Sequence, residues 1–156
     1  MLQIYELKDI PFLMSWIILG AIIFFILFKI PVPYGKFSNT SWGPKIQSQL
    51  GWFVMEIISP ITFAYFFLLG DTEKSLVTWM FFLCWVGHYF NRSFIYPFRQ
   101  QNPARIPLFF VFLAILFNTI NGFINGYYLG SMETYTFDYS FNWNFILGVL
   151  LFSVGM

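Results

Sequence analysis

Charge is scarce in this chain. Its 156 residues include 8 Lys and Arg and 7 Asp and Glu, so charged residues make up 10%. A soluble domain carries roughly 25% charged residues, and this set is too small to cover a globular surface. The net charge of +1 provides no basic footprint, which excludes nucleic acid as a partner. A single cysteine, Cys84, rules out an internal disulfide, and a single histidine, His88, rules out a Cys/His zinc cluster. No metal site is expected. No G-x-G-x-x-G motif follows a strand, so a Rossmann dinucleotide site is also excluded. Internal repeats, heptads and low-complexity tracts are absent.

What the chain has in excess is apolar and aromatic surface. Hydrophobic residues reach 58% and aromatics 24%, with 23 Phe, and the mean hydropathy is +0.69. Crossing a bilayer takes roughly 20 mostly apolar residues. Such runs occur at 12–30, 50–69, 76–98 and 106–129, and a fifth at 141–156 is still apolar where the sequence stops. The first run is too long for a signal-peptide core and no A-x-A site follows it, so it reads as a retained helix. The expected fold is all-α, a polytopic transmembrane helix bundle. It has four complete spans and a fifth that looks truncated, forming a single integral membrane domain over residues 1–156. A monomer in contact with membrane lipid is expected.

Loop charges orient the spans. Glu6, Lys8 and Asp9 precede the first span, whereas Lys29, Lys36 and Lys45 lie between the first and second without an acid. Asp71, Glu73 and Lys74 occupy the next loop, Arg99 and Arg105 the one after, and Glu133 and Asp138 the last. Lys and Arg concentrate on alternate sides, which by the positive-inside rule places loops 31–49 and 99–105 in the cytosol. The N-terminus is then lumenal or outside. The expected membrane is the endoplasmic reticulum in a eukaryote and the inner membrane in a bacterium. The formal glycosylation sequon Asn39-Thr40-Ser41 falls on the cytosolic side and is expected to stay unmodified.

Two charged residues fall well inside spans, Glu56 and Arg92. An ionisable group at membrane depth is a functional-site hypothesis by default. Glu56 lies six residues into the second span, about 9 Å deep at 1.5 Å per residue. The third span runs the opposite way and brings Tyr89 and Arg92 to a similar depth. Tyr89, Arg92 and Tyr96 share one face by i, i+3, i+7 spacing, with His88 a turn from Arg92. Asn118, Asn121 and Asn125 form a second stripe of the same spacing. Two readings stand at this point. One is a polar pocket open toward the cytosol; the other is an ion pair that only fixes packing, with the asparagines as interhelical glue beside Gly122 and Gly126.

Five stretches in order resemble the steroid 5α-reductases (3-oxo-5α-steroid 4-dehydrogenases). They are Pro33-Tyr34-Gly35-Lys36, Trp52-Phe53-Val54-Met55-Glu56, the block from His88 to Pro97 (HYFNRSFIYP), Asn121 to Tyr128 (NGFINGYY), and Leu147 to Met156 (LGVLLFSVGM). The resemblance runs from about residue 31 onward. It implies a seven-helix membrane reductase that uses NADPH on Δ4-3-oxosteroids, with a further C-terminal part after Met156. Met55 and Asn125 stand where the family commonly has Gln, and both positions are placed to touch substrate.

Reducing an enone requires hydride at the β-carbon and a hydrogen-bond donor on the oxygen where the enolate forms. Carried over from the family, Glu56 and Tyr89 would clamp the 3-oxo group, Glu56 in its protonated form. An acid kept neutral by an apolar site so that it can donate is an established device. Trp52 and Met55 would contact the substrate. Arg92, Asn121, Tyr34 and Lys36 would face NADPH, Arg92 through its planar fork. The alternatives are a related membrane reductase of polyprenols or trans-2-enoyl-CoA, or a non-catalytic membrane fragment. The 156 residues alone are expected to be inactive.

Overall fold

A computed structural model of the chain describes residues 10–29, 43–100 and 104–155. The order is α1 (Ile10–Leu27), β1 (Lys45–Gln47), α2 (Ser48–Leu69), α3 (Leu76–Phe90), a π-helical segment (Asn91–Ile95), α4 (Tyr96–Arg99), β2 (Arg105–Pro107), α5 (Leu108–Tyr127), a second π segment (Tyr128–Met132), a 3₁₀ turn (Phe137–Phe141) and α6 (Trp143–Gly155). The chain is mostly helical, as its composition requires. Among the described residues, two helices are long and apolar enough to cross a membrane, Ser48–Leu69 and Leu108–Met132.

These two helices form the centre, and they run parallel. Asn118 Nδ2 donates to the Met55 carbonyl at 2.7 Å. A Cβ on Gly122 would meet the Ser59 carbonyl oxygen at 2.7 Å, one on Gly126 would meet Phe63 backbone, and one on Gly130 the backbone of Phe66 and Phe67. The partners therefore advance together, a turn at a time, along both helices. Glycine at these positions lets the backbones approach closely, which is how apolar helices associate where no hydrophobic driving force separates them from lipid. α3 runs antiparallel to α2. Its contacts read in reverse order, with Phe63 stacked on Trp85 at 4.9 Å and Phe67 edge-on to Trp79 at 5.3 Å.

A small ladder sets where α2 and α5 begin. β1 and β2 pair antiparallel with Ile46 opposite Ile106. Backbone bonds from Ser48 to the Ala104 carbonyl (3.0 Å) and from Leu108 to the Pro44 carbonyl (2.9 Å) close its ends. Ile106, buried in the ladder itself, packs with Met55 and Val111 just beyond it. At the far end, the Thr72 amide donates to Gly130 at 3.1 Å, and Lys74 Nζ donates to the Gly70 and Thr72 carbonyls at 2.6 and 3.0 Å. The α2–α3 turn is thereby tied to the end of α5. The helix pair is pinned at both ends.

The element boundaries correct several expectations. The all-α reading missed the two strands: three-residue runs that include Pro107 carry no alternation signal. The run expected at 106–129 begins as helix only at Leu108 because Arg105–Pro107 is spent on the ladder. The run expected at 76–98 is helical to Arg99 but passes through a π turn. The first run closes at Leu27 rather than 30, and the run expected from 141 is helical from Trp143, after the 3₁₀ turn. α1 and α6 are shorter apolar helices. Most of α1 is exposed, held against α5 by Trp16 stacked on Phe117 at 5.4 Å.

Candidate active site

Two prolines shape the backbone around the polar residues. Pro60 lies inside α2. It carries no N–H, so it cannot donate to the Glu56 carbonyl four residues earlier. Pro97 likewise cannot donate to Ser93, and the preceding turn widens. The Tyr96 amide bonds back five residues to the Asn91 carbonyl, and the Asn91 amide is shared between Gly87 and His88. Such π turns occur frequently at functional sites. This one presents Arg92 to α2.

Arg92 Nη2 donates to Glu56 Oε1 at 2.6 Å, with the Glu56 side chain 7% exposed and that of Arg92 39%. The guanidinium also lies 5.5 Å from the Trp52 ring, and Trp52 in turn packs on Tyr96. The carboxyl contact is one-pronged, so Oε2 is not engaged by Arg92. Tyr89 sits one turn before Arg92, with Trp85 tilted against its ring at 5.3 Å and His88 edge-on at 5.3 Å. Asn121 Nδ2 donates to the Tyr89 hydroxyl at 3.5 Å.

These groups face a cavity of about 700 Å³ between α1, α2, α3 and α5, within the roughly 300–1,000 Å³ typical of small-molecule sites. Its polar wall is Glu56, Tyr89, Arg92 and His88; Phe110, Leu113 and Phe117 of α5 and Ile23 and Leu27 of α1 form the apolar side. A second cavity of about 650 Å³ lies on the other side of Tyr89, reaching Asn121, Asn125, Tyr128, Tyr135 and Phe152. Tyr89 and His88 line both. At the outer rim of the second cavity, burial and a hydrogen bond with Tyr128 push the Tyr135 phenol well above its ordinary range. An apolar chamber with convergent donors on one wall suits a lipophilic ligand that presents one polar oxygen.

The 3-oxo-5-alpha-steroid 4-dehydrogenase family model matches residues 104–156. The steroid 5-alpha-reductase DET2 of Gossypium hirsutum is 34% identical over 137 residues, 83% of this chain and 52% of that protein. The Arabidopsis thaliana protein of the same name is 34% identical over 134 residues, 80% of this chain and 50% of that protein. The chain belongs to the steroid 5α-reductase family. A 3-oxo-5-alpha-steroid 4-dehydrogenase 1 from Bos taurus, 25% identical over 142 residues, extends the match to 88% of this chain and 55% of that protein. The chain thus spans about half the length of the curated relatives it matches. The family-model match covers α5 and α6; the longer matches necessarily include the centre of the chain, where Glu56 and Tyr89 lie.

Of the residues expected from the sequence, Trp52, Met55, Glu56, Tyr89 and Arg92 line the first cavity together. Asn121 touches Tyr89 but opens onto the second cavity. Tyr34 and Lys36 lie outside the described residues. The asparagine stripe divides: Asn118 ties α5 to α2, while Asn121 and Asn125 serve the Tyr89 side. The sequence reading gave His88 no role, although it lines both cavities; its position directly before Tyr89 was the available signal.

Among the described residues, Arg92 is the one cation lining either cavity. The phosphates of a dinucleotide need several donors and positive groups. Amides, phenol and guanidinium here fit the carboxamide end of a nicotinamide cofactor. They do not by themselves satisfy its phosphates.

Proposed function

We propose that the complete protein is a membrane reductase that uses NADPH to saturate the Δ4 double bond of 3-oxosteroids. One observation carries this reading: Tyr89, Glu56 and Arg92, from different helical segments, converge on one apolar-walled cavity. The steroid 5-alpha-reductase names of its relatives supply the substrate class.

In this reading the steroid lies against Trp52, Met55 and the α5 phenylalanines with its carbonyl toward Tyr89. NADPH, when bound, supplies the hydride that goes to the β-carbon. As negative charge grows on the carbonyl oxygen, the Tyr89 phenol donates to it. Glu56 adds a second hydrogen bond through Oε2, with Arg92 holding Oε1. Preorganised donors in a water-poor site stabilise such charge far better than water does. A proton from water then adds to the α-carbon of the enolate and completes the saturated ketone. Arg92 and Asn121 hold the nicotinamide end, and Lys36 and Tyr34 are proposed to contribute beyond the described residues.

The protein is proposed to be a polytopic, monomeric bundle with further spans beside α2 and α5 and with its N-terminus lumenal or outside. Its membrane is proposed to be the endoplasmic reticulum or, in a bacterium, the inner membrane. The 156 residues alone are proposed to be inactive, because Arg92, the one cation lining either cavity among the described residues, already serves Glu56. The test is enone-dependent NADPH oxidation by the complete gene product in membranes, with the product identified by mass spectrometry. A 5α-reduced 3-oxosteroid is expected. Turnover confined to a polyprenol or a trans-2-enoyl-CoA would replace the steroid with that lipid, and the absence of any enone-dependent oxidation would contradict the reading.

A further inference from the structure

The Tyr89 phenol has one proton and must aim it somewhere. The structure contains a hydrogen-bond chain that decides where. Asn125 Nδ2 donates to the Asn121 backbone carbonyl at 2.9 Å and to Asn121 Oδ1 at 3.2 Å. A side-chain amide offers acceptors only at oxygen and donors only at nitrogen. With Oδ1 taken by Asn125, the Asn121 Nδ2 is turned toward Tyr89, where it donates to the hydroxyl at 3.5 Å. Catalytic hydrogen bonds are often this long before a ligand binds. A donor pointing at the phenol oxygen occupies a lone pair, so the O–H cannot point back at Asn121. It is turned toward the first cavity, whose polar wall also holds Glu56 and Arg92.

The chain is held by rigid backbone. Asn121 and Asn125 are one turn apart on α5, and the glycine after each, Gly122 and Gly126, seats that backbone against α2. The ladder therefore cannot slide along the helix axis. Each amide N–H also polarises the next group, and donation into the phenol oxygen strengthens the bond that the phenol itself donates.

We propose that Asn125 is a positioning residue for Tyr89: acting through Asn121, it fixes the direction of the chain so that the phenol proton points at the ligand oxygen in the first cavity. This rests on the reading of Tyr89 as the donor to that oxygen. Asn125 touches neither Tyr89 nor the first cavity in any contact the structure gives.

The test is a double-mutant cycle on kcat for Δ4-3-oxosteroid reduction by the complete gene product in membranes. Asn125→Leu should lower kcat about tenfold, within the range for residues coupled through one hydrogen-bond network. Asn125→Gln, which keeps the donor, should retain most activity. In a Tyr89→Phe background, Asn125→Leu should cost nothing further. Losses that multiply would overturn the proposal, because Asn125 would then act independently of Tyr89. If Asn125→Leu lowers yield, Asn125→Asp replaces it in the cycle: its carboxylate cannot donate, so the same loss and the same non-additivity are expected. Near-normal turnover in Tyr89→Phe alone would remove Tyr89 as the donor, a failure of the underlying reading that is visible before Asn125 is touched.

Discussion

Replacing Gly122 by Ala adds one carbon and, net, two hydrogens where α5 lies against the backbone of α2. The new Cβ would lie 2.7 Å from the Ser59 carbonyl oxygen and 3.1 Å from the Phe63 nitrogen, whereas comfortable carbon contacts are about 3.5–4.0 Å. Both neighbours are backbone, so relief requires the whole of α2 to move by up to about 1 Å. Overpacking of this kind costs about 1–3 kcal/mol. Gly148 is the internal control, because a Cβ there meets nothing within 4 Å. Gly148→Ala should stabilise its helix by about 0.5–1 kcal/mol through backbone entropy alone. The two substitutions are chemically identical and are expected to differ by about 1.5–4 kcal/mol in opposite directions. Unfolding in detergent followed by circular dichroism measures the difference. Activity should fall with stability for Gly122→Ala, since α2 carries Met55 and Glu56 away from α5 and Tyr89. Equal stability of the two variants would refute the close parallel packing of α2 on α5.

Three other outcomes are expected. Arg92→Lys keeps the charge but loses the fork that reaches Glu56 while lying beside Trp52, and should raise the KM for NADPH by about tenfold with little change in yield. Arg92→Leu should reduce yield as well, because it leaves the buried Glu56 Oε1 without its hydrogen-bond donor, a loss of about 1–3 kcal/mol. In a protein whose Cys84 is replaced by Ser, a cysteine at Ser38 should be labelled only by reagents that reach the cytosol. Labelling from outside intact cells would invert the proposed orientation.

Much of the site was legible because depth in a helix follows from counting. Glu56 and Arg92 sit at matching distances along oppositely directed runs, and the structure joins them. The i, i+3 spacing of Tyr89 and Arg92 put both on the cavity wall for the same reason. The strands were not legible: β1 and β2 are defined by each other, 60 positions apart at the central pair Ile46 and Ile106, and neither carries a pattern of its own. The parallel register of α2 and α5 also depends on long-range contact, although Gly122, Gly126 and Gly130 are its trace in the sequence. The π turn before Pro97 was foreshadowed by the proline, which forbids the ordinary bond, but the sequence does not say whether the helix breaks or widens. The opposing duties of Asn118 and Asn121 emerge only when α2 and α3 are both in place.

The central claim is that Glu56 and Tyr89 together hold the substrate carbonyl. The direct measurement is kcat/KM for a Δ4-3-oxosteroid in Glu56→Leu and Tyr89→Phe variants of the complete gene product, with membrane yield measured alongside. Each is expected to lower kcat/KM by roughly 10²–10³, the effect of removing one donor from an oxyanion site, while yield stays close to that of the parent. Near-normal kcat/KM in both variants would show that these two side chains only pack the helices.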